Sequence, residues 1–253
     1  MAIVSTVSGE LRRRMVLDLL DEHGRVLLDD LATRLGVSGM TVRRDLDELE
    51  AAGLLRRVRG GAVSVSRARP FAERMAADID AKRTIARKAA TLVPRTGYVA
   101  FDASSTIGVL LETIAPDSEH IAVTNSIDNF RHASARAPER SILVGGEAEA
   151  STGSLVGPLA CRMASSLQYE RFFASASAIE TAWGTSEVTP REAQVKQVFA
   201  ERAASTVLLA TAGKLRDSGV ARTLPWDDID LVLTELPPEA TELDGLRDVV
   251  ELC

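Results

Sequence analysis

The chain has 253 residues, of which 45% are hydrophobic and 26% charged, proportions typical of a globular protein with one large core or two unequal ones. Its net charge of -6 argues against a protein that coats DNA with uniformly basic surface. No stretch approaches the roughly 18 uninterrupted apolar residues that a membrane span requires, so we expect a cytoplasmic protein with no membrane partner.

Basic charge is concentrated near the start of the chain. Residues 1–70 carry a net charge of +2, whereas residues 71–253 carry a net charge of -8. Five arginines fall within 17 positions of the first segment: Arg43, Arg44, Arg56, Arg57 and Arg59. A small basic head on an acidic body is more typical of a DNA-binding regulator than of a histone-like protein.

The first 53 residues predict three helices. Apolar residues recur at helical spacing over 8–22, and two aspartates begin a short second helix that Gly36 can end in a left-handed cap. Ser38 can cap a third helix that runs to Gly53 and turns its apolar residues inward. The opposite side of this helix presents Met40, Thr41, Arg43 and Arg44.

A β-hairpin is predicted at residues 54–63, with the pair Gly60-Gly61 as its turn. Together with the helices it forms a winged helix-turn-helix. The third helix would read base edges, while Arg56, Arg57 and Arg59 on the hairpin would meet phosphates. The alternative is that the arginines pair with the acidic residues around them, which are Asp45, Asp47, Glu48 and Glu50.

The remaining chain predicts a larger α/β domain. Residues 66–80 lack periodicity, and we assign them to a linker between a DNA-binding domain at 1–65 and a second domain at 81–253. Short apolar runs then alternate with helical stretches, which indicates an open, mainly parallel sheet with helices on both faces. The runs lie at 98–101, 121–124, 142–144, 171–177, 206–210 and 231–234.

Polar clusters follow several of these runs, where an open parallel sheet binds its ligands. Hydroxyls and N–H groups that open a helix could hold an anion, paired glycines would let a ligand approach the backbone, and Lys196 and Lys214 could supply positive charge for a phosphate. The clusters contain Asp102, Ser104, Ser105, Thr106, Thr124, Asn125, Gly145 and Gly146. The alternative is that the hydroxyls only cap helices, the glycines only turn the chain and Lys196 is solvated.

The run VSGMTVRRDLDELEAAGLLRRVRGGAV, residues 37–63, resembles the signature of the DeoR-type (GlpR-type) winged-helix repressors, and a looser resemblance extends through almost all of the remaining chain. The resemblance implies a homo-oligomer, dimer or tetramer, and a helical linkage to the sensor domain that begins near Arg74 and Lys82. It implies DNA contacts at Ser38, Thr41, Arg43 and Arg44. Because the sensor domain of this family is similar to phosphosugar isomerases, it also implies an effector site at the strand-end clusters together with Glu180, Lys196 and Lys214.

The chain departs from the family pattern in three places. Glu180 stands where the family usually has an aspartate, Thr211 stands at another usual aspartate, and Ala103-Ser104 replaces a small residue followed by glycine. Glutamate is one methylene longer than aspartate, which displaces its carboxylate. These departures argue against catalysis more strongly than against ligand binding.

We therefore expect a regulator that binds double-stranded operator DNA, a repressor of sugar or related carbon metabolism genes controlled by a phosphorylated sugar or similar metabolite. An alternative is a phosphosugar isomerase-like enzyme with an appended DNA-binding domain, using Glu180 as base and Lys196 as stabiliser. A third possibility is a regulator that answers to a protein partner. Since Cys161 and Cys253 have no metal-ligand spacing with the histidines, we predict no metal, no cofactor and no catalytic residue.

Overall fold

The computed structural model describes residues 9–23, 25–52, 54–58, 60–64, 71–115, 117–149, 152–216 and 219–253. The chain divides into two compact units, the first ending at Arg67 and the second beginning at Ala68. None of the described helices is both long and apolar enough to cross a lipid bilayer.

The described part of the first unit contains three helices and a three-stranded antiparallel sheet with the order β1-β3-β2. In chain order the elements are α1 (Gly9–His23), β1 (Arg25–Leu27), α2 (Leu28–Leu35), α3 (Gly39–Ala51), β2 (Leu55–Val58) and β3 (Gly61–Ser64). The predicted left-handed cap at Gly36, with φ of 63°, and the predicted Ser38 cap of α3 are both confirmed. This is the predicted winged helix-turn-helix, with β1 as an additional strand.

The hairpin turn differs from the prediction. Gly61 lies within β3 opposite Val58 and Leu27, rather than in the turn. A β-carbon at Gly61 would come within 2.0 Å of the carbonyl oxygen of Val26, so close approach of β1 requires a glycine there. Gly60 keeps the positive φ, 87°, that a tight turn needs.

A buried ion pair connects α1 and α3 of the first unit. Val42, Leu46 and Leu49 are buried as predicted, and Asp45 lies on the same side of α3 with 2% exposure. Its Oδ1 and Oδ2 accept hydrogen bonds from Nη2 and Nε of Arg12 at 3.0 and 2.5 Å. The two paired groups satisfy each other's charge inside the core.

The second unit contains the predicted α/β domain. In chain order its elements are α4 (Phe71–Ala76), α5 (Ile79–Ala90), β4 (Tyr98–Phe101), α6 (Ser105–Thr113), β5 (Ile121–Thr124), α7 (Ile127–Arg136), β6 (Ser141–Leu143), β7 (Glu147–Glu149), β8 (Ser154–Val156), α8 (Pro158–Ser165), β9 (Arg171–Ala174), β10 (Ala178–Glu180), β11 (Gly184–Glu187), α9 (Pro190–Glu201), β12 (Thr206–Leu209), β13 (Ala221–Pro225), β14 (Leu231–Leu233) and β15 (Glu251–Leu252). Its main sheet is parallel, with the order β15-β14-β12-β9-β4-β5-β6.

Two apolar cores cover the two faces of this sheet, as continuous apolar strands predict. Neighbouring residues of β9 point into different cores, Phe172 toward α8 and α9 and Phe173 toward α5, α6 and α7. Two small antiparallel sheets, β7-β8 and β10-β11-β13, are additions that the apolar runs do not predict, because their strands are short and partly polar.

The predicted linker at 66–80 contains regular structure. Helix α4 occupies Phe71–Ala76, and α5 already begins at Ile79. The physical reason is tertiary, because a β-carbon at Gly108 of α6 would meet the side chains of Phe71 and Met75 at 2.9 and 2.8 Å. The short helix is therefore held by packing against α6, a distant contact that its own six residues do not reveal.

Asp45→Asn should lower the free energy of unfolding of the first unit by about 3 kcal/mol, because the Arg12 charge would remain buried without its counter-ion. Urea unfolding followed by far-UV circular dichroism measures this loss. Tryptophan fluorescence separates the transitions, since Trp183 and Trp226 both lie in the second unit. Asp47→Asn is the matched control, with a side chain 59% exposed; equal losses in the two variants would contradict the proposed role of the ion pair.

Candidate functional site

The outward face of α3 presents residues that the sequence predicts as DNA contacts. Arg43 and Arg44 are exposed, and the Arg44 side chain is 81% exposed although its Nε lies 3.4 Å from Oε1 of Glu48. The Ser38 hydroxyl accepts a hydrogen bond from the backbone N–H of Thr41 at 3.2 Å, and the two hydroxyls lie 3.0 Å apart. Ser38 thus fixes the first turn, while the arginines reach solvent.

The wing arginines have a different setting. Arg57 forms an ion pair with Asp47 of α3, and its backbone N–H donates to Oε1 of Glu50 at 2.7 Å. The predicted alternative of local ion pairing therefore applies to Arg57, and more weakly to Arg44. Arg59 and the side chain of Arg56 lie outside the described residues.

In the second unit, Asp102 organises the carboxyl ends of two neighbouring strands. It follows β4 and is fully buried. Its Oδ1 accepts the backbone N–H of Ser104 at 2.8 Å, and its Oδ2 accepts the backbone N–H of Ser175, just beyond β9, at 2.7 Å. Nζ of Lys196 lies 2.8 Å from the same Oδ2. One carboxylate therefore positions the loop after each strand.

Lys196 is buried rather than solvated. Its ammonium contacts Asp102, Glu187 and the carbonyl oxygen of Ser175, the last at 2.8 Å. An ammonium has three N–H groups, and these three acceptors match them. Burial by itself would lower the pKa of Lys196, but the adjacent carboxylates of Asp102 and Glu187 raise the pKa above its usual value. The charged lysine therefore links α9 to the strand ends.

Glu192 is a buried acid that the sequence analysis does not single out. It lies one helical turn before Lys196 on α9, is 5% exposed, and its carboxyl makes no hydrogen bond within the described part of the chain. Burial, and then the nearby Glu187 and Asp102, raise its pKa to about 8, against the opposing effect of Lys196 and Arg74. The carboxyl is therefore mostly protonated at neutral pH. The spacing of four residues from Lys196 is the sequence signal that could have identified it.

The N-terminus of α6 keeps polar groups available at the strand ends. Ser104 caps the helix by accepting the backbone N–H of Ile107 at 3.3 Å. The N–H groups of Ser105 and Thr106 have no acceptor within the helix because of their position in its first turn. Their side chains are buried to 7% and 2% exposure, and neither hydroxyl forms a hydrogen bond with another described residue. This turn therefore has unused donors.

Asn129 of α7 supports the same turn, and the sequence analysis missed it. Its Nδ2 donates to the carbonyl oxygens of Asp102 and Ser104 at 2.7 and 3.0 Å. The hydroxyl of Thr124 donates to the Asp102 carbonyl oxygen at 3.5 Å and accepts the backbone N–H of Ser126 at 3.1 Å. Thr124, one of the predicted effector contacts, therefore lies beside Asp102, and its hydroxyl forms hydrogen bonds within the chain.

Three further predicted residues lie beyond β5 and β6. Asn125 is 1% exposed and donates from Nδ2 to the carbonyl oxygen of Leu155 at 3.1 Å, but its Oδ1 has no partner among the described atoms. A β-carbon on Gly145 would meet open space, whereas one on Gly146 would approach the carbonyl oxygen of Val156 to 2.7 Å. Packing within the chain therefore accounts for Gly146.

Arg74 of α4 spans two loops at the strand ends. Its Nη1 donates to the carbonyl oxygen of Ala103 at 3.4 Å, and its Nη2 donates to that of Thr152 at 2.6 Å. The guanidinium therefore connects the loop after β4 with the turn before β8, and it places a positive charge beside the first turn of α6.

Lys82 of α5 is 5% exposed and donates to the carbonyl oxygens of Arg74 and Ala77, the latter at 2.7 Å. Burial, followed by the positive charge of Lys214, lowers the pKa of Lys82 to about 8. Predicted residue Lys214 therefore lies close enough to Lys82 to interact with it electrostatically. A bound anion near the two lysines would relieve this repulsion.

Glu180 has a partner of its own on the neighbouring strand. It lies on β10, where its Oε1 accepts the Ser186 hydroxyl at 3.5 Å, the limit of a hydrogen bond. No ion pair joins it to Lys196 in the described structure. Glu180 and Lys196 therefore have different partners among the described residues.

Two family profiles match the chain. One, the "DeoR-like helix-turn-helix domain", matches residues 12–68 of the first unit and its immediate continuation. The other, the "DeoR C terminal sensor domain", matches residues 77–236. The boundary between the matches falls in the same region as the boundary between the two compact units.

Several curated proteins are similar over most of their length. The chain is 30% identical to the HTH-type transcriptional regulator GlpR of Haloferax volcanii, over 88% of this chain and 89% of that protein. It is 26% identical to the glycerol-3-phosphate regulon repressor of Escherichia coli, over 96% and 98%, and 30% identical to the L-fucose operon activator of Escherichia coli, over 92% and 97%. The chain thus belongs to the DeoR family of DNA-binding transcriptional regulators.

Proposed function

We propose that this regulator is a repressor whose α3 enters the major groove of an operator and whose strand-end crevice binds a phosphorylated sugar or similar phosphorylated metabolite, which lowers operator affinity. The observation that carries the effector proposal is the first turn of α6, where the unused donors of Ser105 and Thr106 lie beside the Arg74 guanidinium. Backbone N–H groups at a helix N-terminus next to a positive charge suit a phosphate.

The remaining polar groups suit the rest of such a ligand. The unpartnered Oδ1 of Asn125 can accept a hydroxyl, Gly145 leaves open space, and Lys82 and Lys214 add positive charge. Asp102 and Lys196 act in this proposal as positioning residues, because their donors and acceptors already hold the strand-end loops. Glu180 and Gly146 are assigned no direct contact.

For DNA, we propose that Thr41, Arg43 and Arg44 contact the operator in the major groove, with Ser38 orienting the first turn of α3. Arg56, Arg57 and Arg59 of the wing would meet phosphates, and Arg57 would then share its guanidinium with Asp47. A palindromic operator would engage two such heads, so the proposal includes a symmetric homo-oligomer.

The proposal that the protein is a repressor rests on the proposal that ligand binding releases it from the operator. The names of two relatives include a repressor and an activator, and the repressor's name includes a phosphorylated metabolite. A ligand that binds the DNA-incompetent state 100-fold more tightly can shift the equilibrium by about 2.7 kcal/mol. The isomerase alternative has less support, because the N–H groups of Lys196 are engaged by protein acceptors.

Arg43→Ala and Arg44→Ala should each weaken operator binding by about 1–3 kcal/mol if the arginine contacts a base. If the arginine contacts a phosphate instead, the slope of log affinity against log salt concentration should become shallower by about 1. Fluorescence anisotropy titrations over a range of NaCl concentrations distinguish these outcomes. Arg83→Ala is the matched control, since Arg83 is exposed in the second unit and pairs with Asp80. Unchanged affinity and salt dependence would remove the tested arginine from the interface.

Calorimetry should detect binding of at least one of glycerol 3-phosphate, ribose 5-phosphate and fructose 6-phosphate, but of none of the corresponding unphosphorylated compounds, since the crevice supplies cations and N–H donors for a phosphate. The compound that binds should also lower operator affinity in the anisotropy titration. Absence of heat and of any change in DNA affinity over a wider panel of phosphorylated metabolites would reject the effector proposal.

Effector affinity should fall as pH rises from 7 to 9. Both Lys82 and Glu192 hold a proton below about pH 8, so loss of either proton removes a positive charge or adds a negative one near the bound anion. The second pKa of a phosphate is about 6, so the ligand's own charge is constant in this window. Glu192→Gln should reduce the pH dependence, whereas the exposed control Glu139→Gln should preserve it. Identical profiles in all three proteins would contradict the role of Glu192.

A further inference from the structure

Met40 is the most exposed large hydrophobic side chain among the described residues, with 71% of its surface accessible. It is the second residue of α3, where it shares the outward face with Arg43, Arg44 and Asp47 at spacings of three, four and seven residues. The opposite face is buried in the core of the first unit. A thioether at this position therefore contributes nothing to that core.

The first turn of α3 presents Met40 in a defined place. Ser38 caps the turn, and a β-carbon on Gly39 would lie 3.1 Å from Cδ2 of Leu28, so the start of the helix packs closely on α2. Met40 therefore projects from an anchored turn. Its position does not depend on a loop.

The neighbouring charges indicate the partner. Arg43 and Arg44 are exposed beside Met40, whereas Asp47, farther along the helix, is neutralised by its ion pair with Arg57. The half of the face that carries Met40 is thus basic with one apolar group. A polyanion that offers an apolar group at the same depth as its base edges matches this pattern, and the 5-methyl group of thymine in the major groove is such a group.

We propose that Met40 contacts the 5-methyl group of a thymine in each operator half-site and thereby selects thymine at that position. The inference rests on the proposed insertion of α3 into the major groove. It adds an apolar, base-selective contact to the polar contacts already proposed for Thr41, Arg43 and Arg44.

The test uses the full-length chain and a duplex that the wild-type protein selects from a randomised library. Each thymine is replaced, together with its counterpart in the other half-site, by deoxyuridine, which removes only the methyl groups. At one such pair of thymines, the replacement should weaken wild-type binding about fourfold for each half-site, the loss expected for one buried methyl group. Met40→Ala should bind the original duplex about as weakly as the wild type binds the substituted one, and should bind both duplexes equally. Met40→Leu should retain discrimination, because leucine keeps an apolar group there.

Two results would overturn the inference while leaving DNA binding intact: no thymine shows a methyl dependence in the wild type, or the same dependence persists in Met40→Ala. Unchanged thermal midpoints establish that the variants are folded. A chain that selects no duplex at all would overturn the proposed DNA contacts, and the methyl contact with them.

Discussion

The buried carboxylate of Asp102 is the interaction on which the arrangement of the strand ends depends. A carboxylate inside a protein is costly unless it is both paired and hydrogen-bonded. Here two backbone N–H groups, from Ser104 and Ser175, and the ammonium of Lys196 satisfy it. Because β4 and β9 are neighbouring strands, this single group fixes both strand ends and the first turn of α6. The first turn of α6, with its open donors, therefore begins at a loop that Asp102 holds.

Helix α3 also contains a buried carboxylate, and its other charged residues are exposed. In the run Arg43-Arg44-Asp45, the helical turn sends the two arginines to solvent and the aspartate into the core, where Arg12 neutralises it. The acidic neighbours of the arginines are therefore not simply competitors for them. Asp45 is used inside the unit, and Asp47 holds Arg57 of the wing. The basic surface that remains is restricted to the start of the helix.

The cations near the strand ends of the second unit also differ in their partners. Lys196 pairs with Asp102 and Glu187, and Arg74 and Lys82 donate to carbonyl oxygens of the chain. Arg74 and Lys82 therefore add positive charge at the strand ends. The segment that brings both groups to the strand ends is α4 and α5, which directly follow the DNA-binding unit in the chain. The segment that contributes Arg74 and Lys82 to the proposed effector site is therefore also the segment that follows the DNA-binding unit in the sequence.

Local patterns determined much of the fold. Helical spacing, the Ser38 and Gly36 caps and the apolar runs of the parallel strands predict α1 to α3 and most of the main sheet, because these signals act between residues close in sequence. Tertiary structure alone decided that Lys196 is buried, that Asn129 supports the first turn of α6, and that α4 replaces a linker. Each of these depends on a contact between distant elements, and residue type or periodicity carries no record of which distant partner will neutralise a charge or cover a short helix.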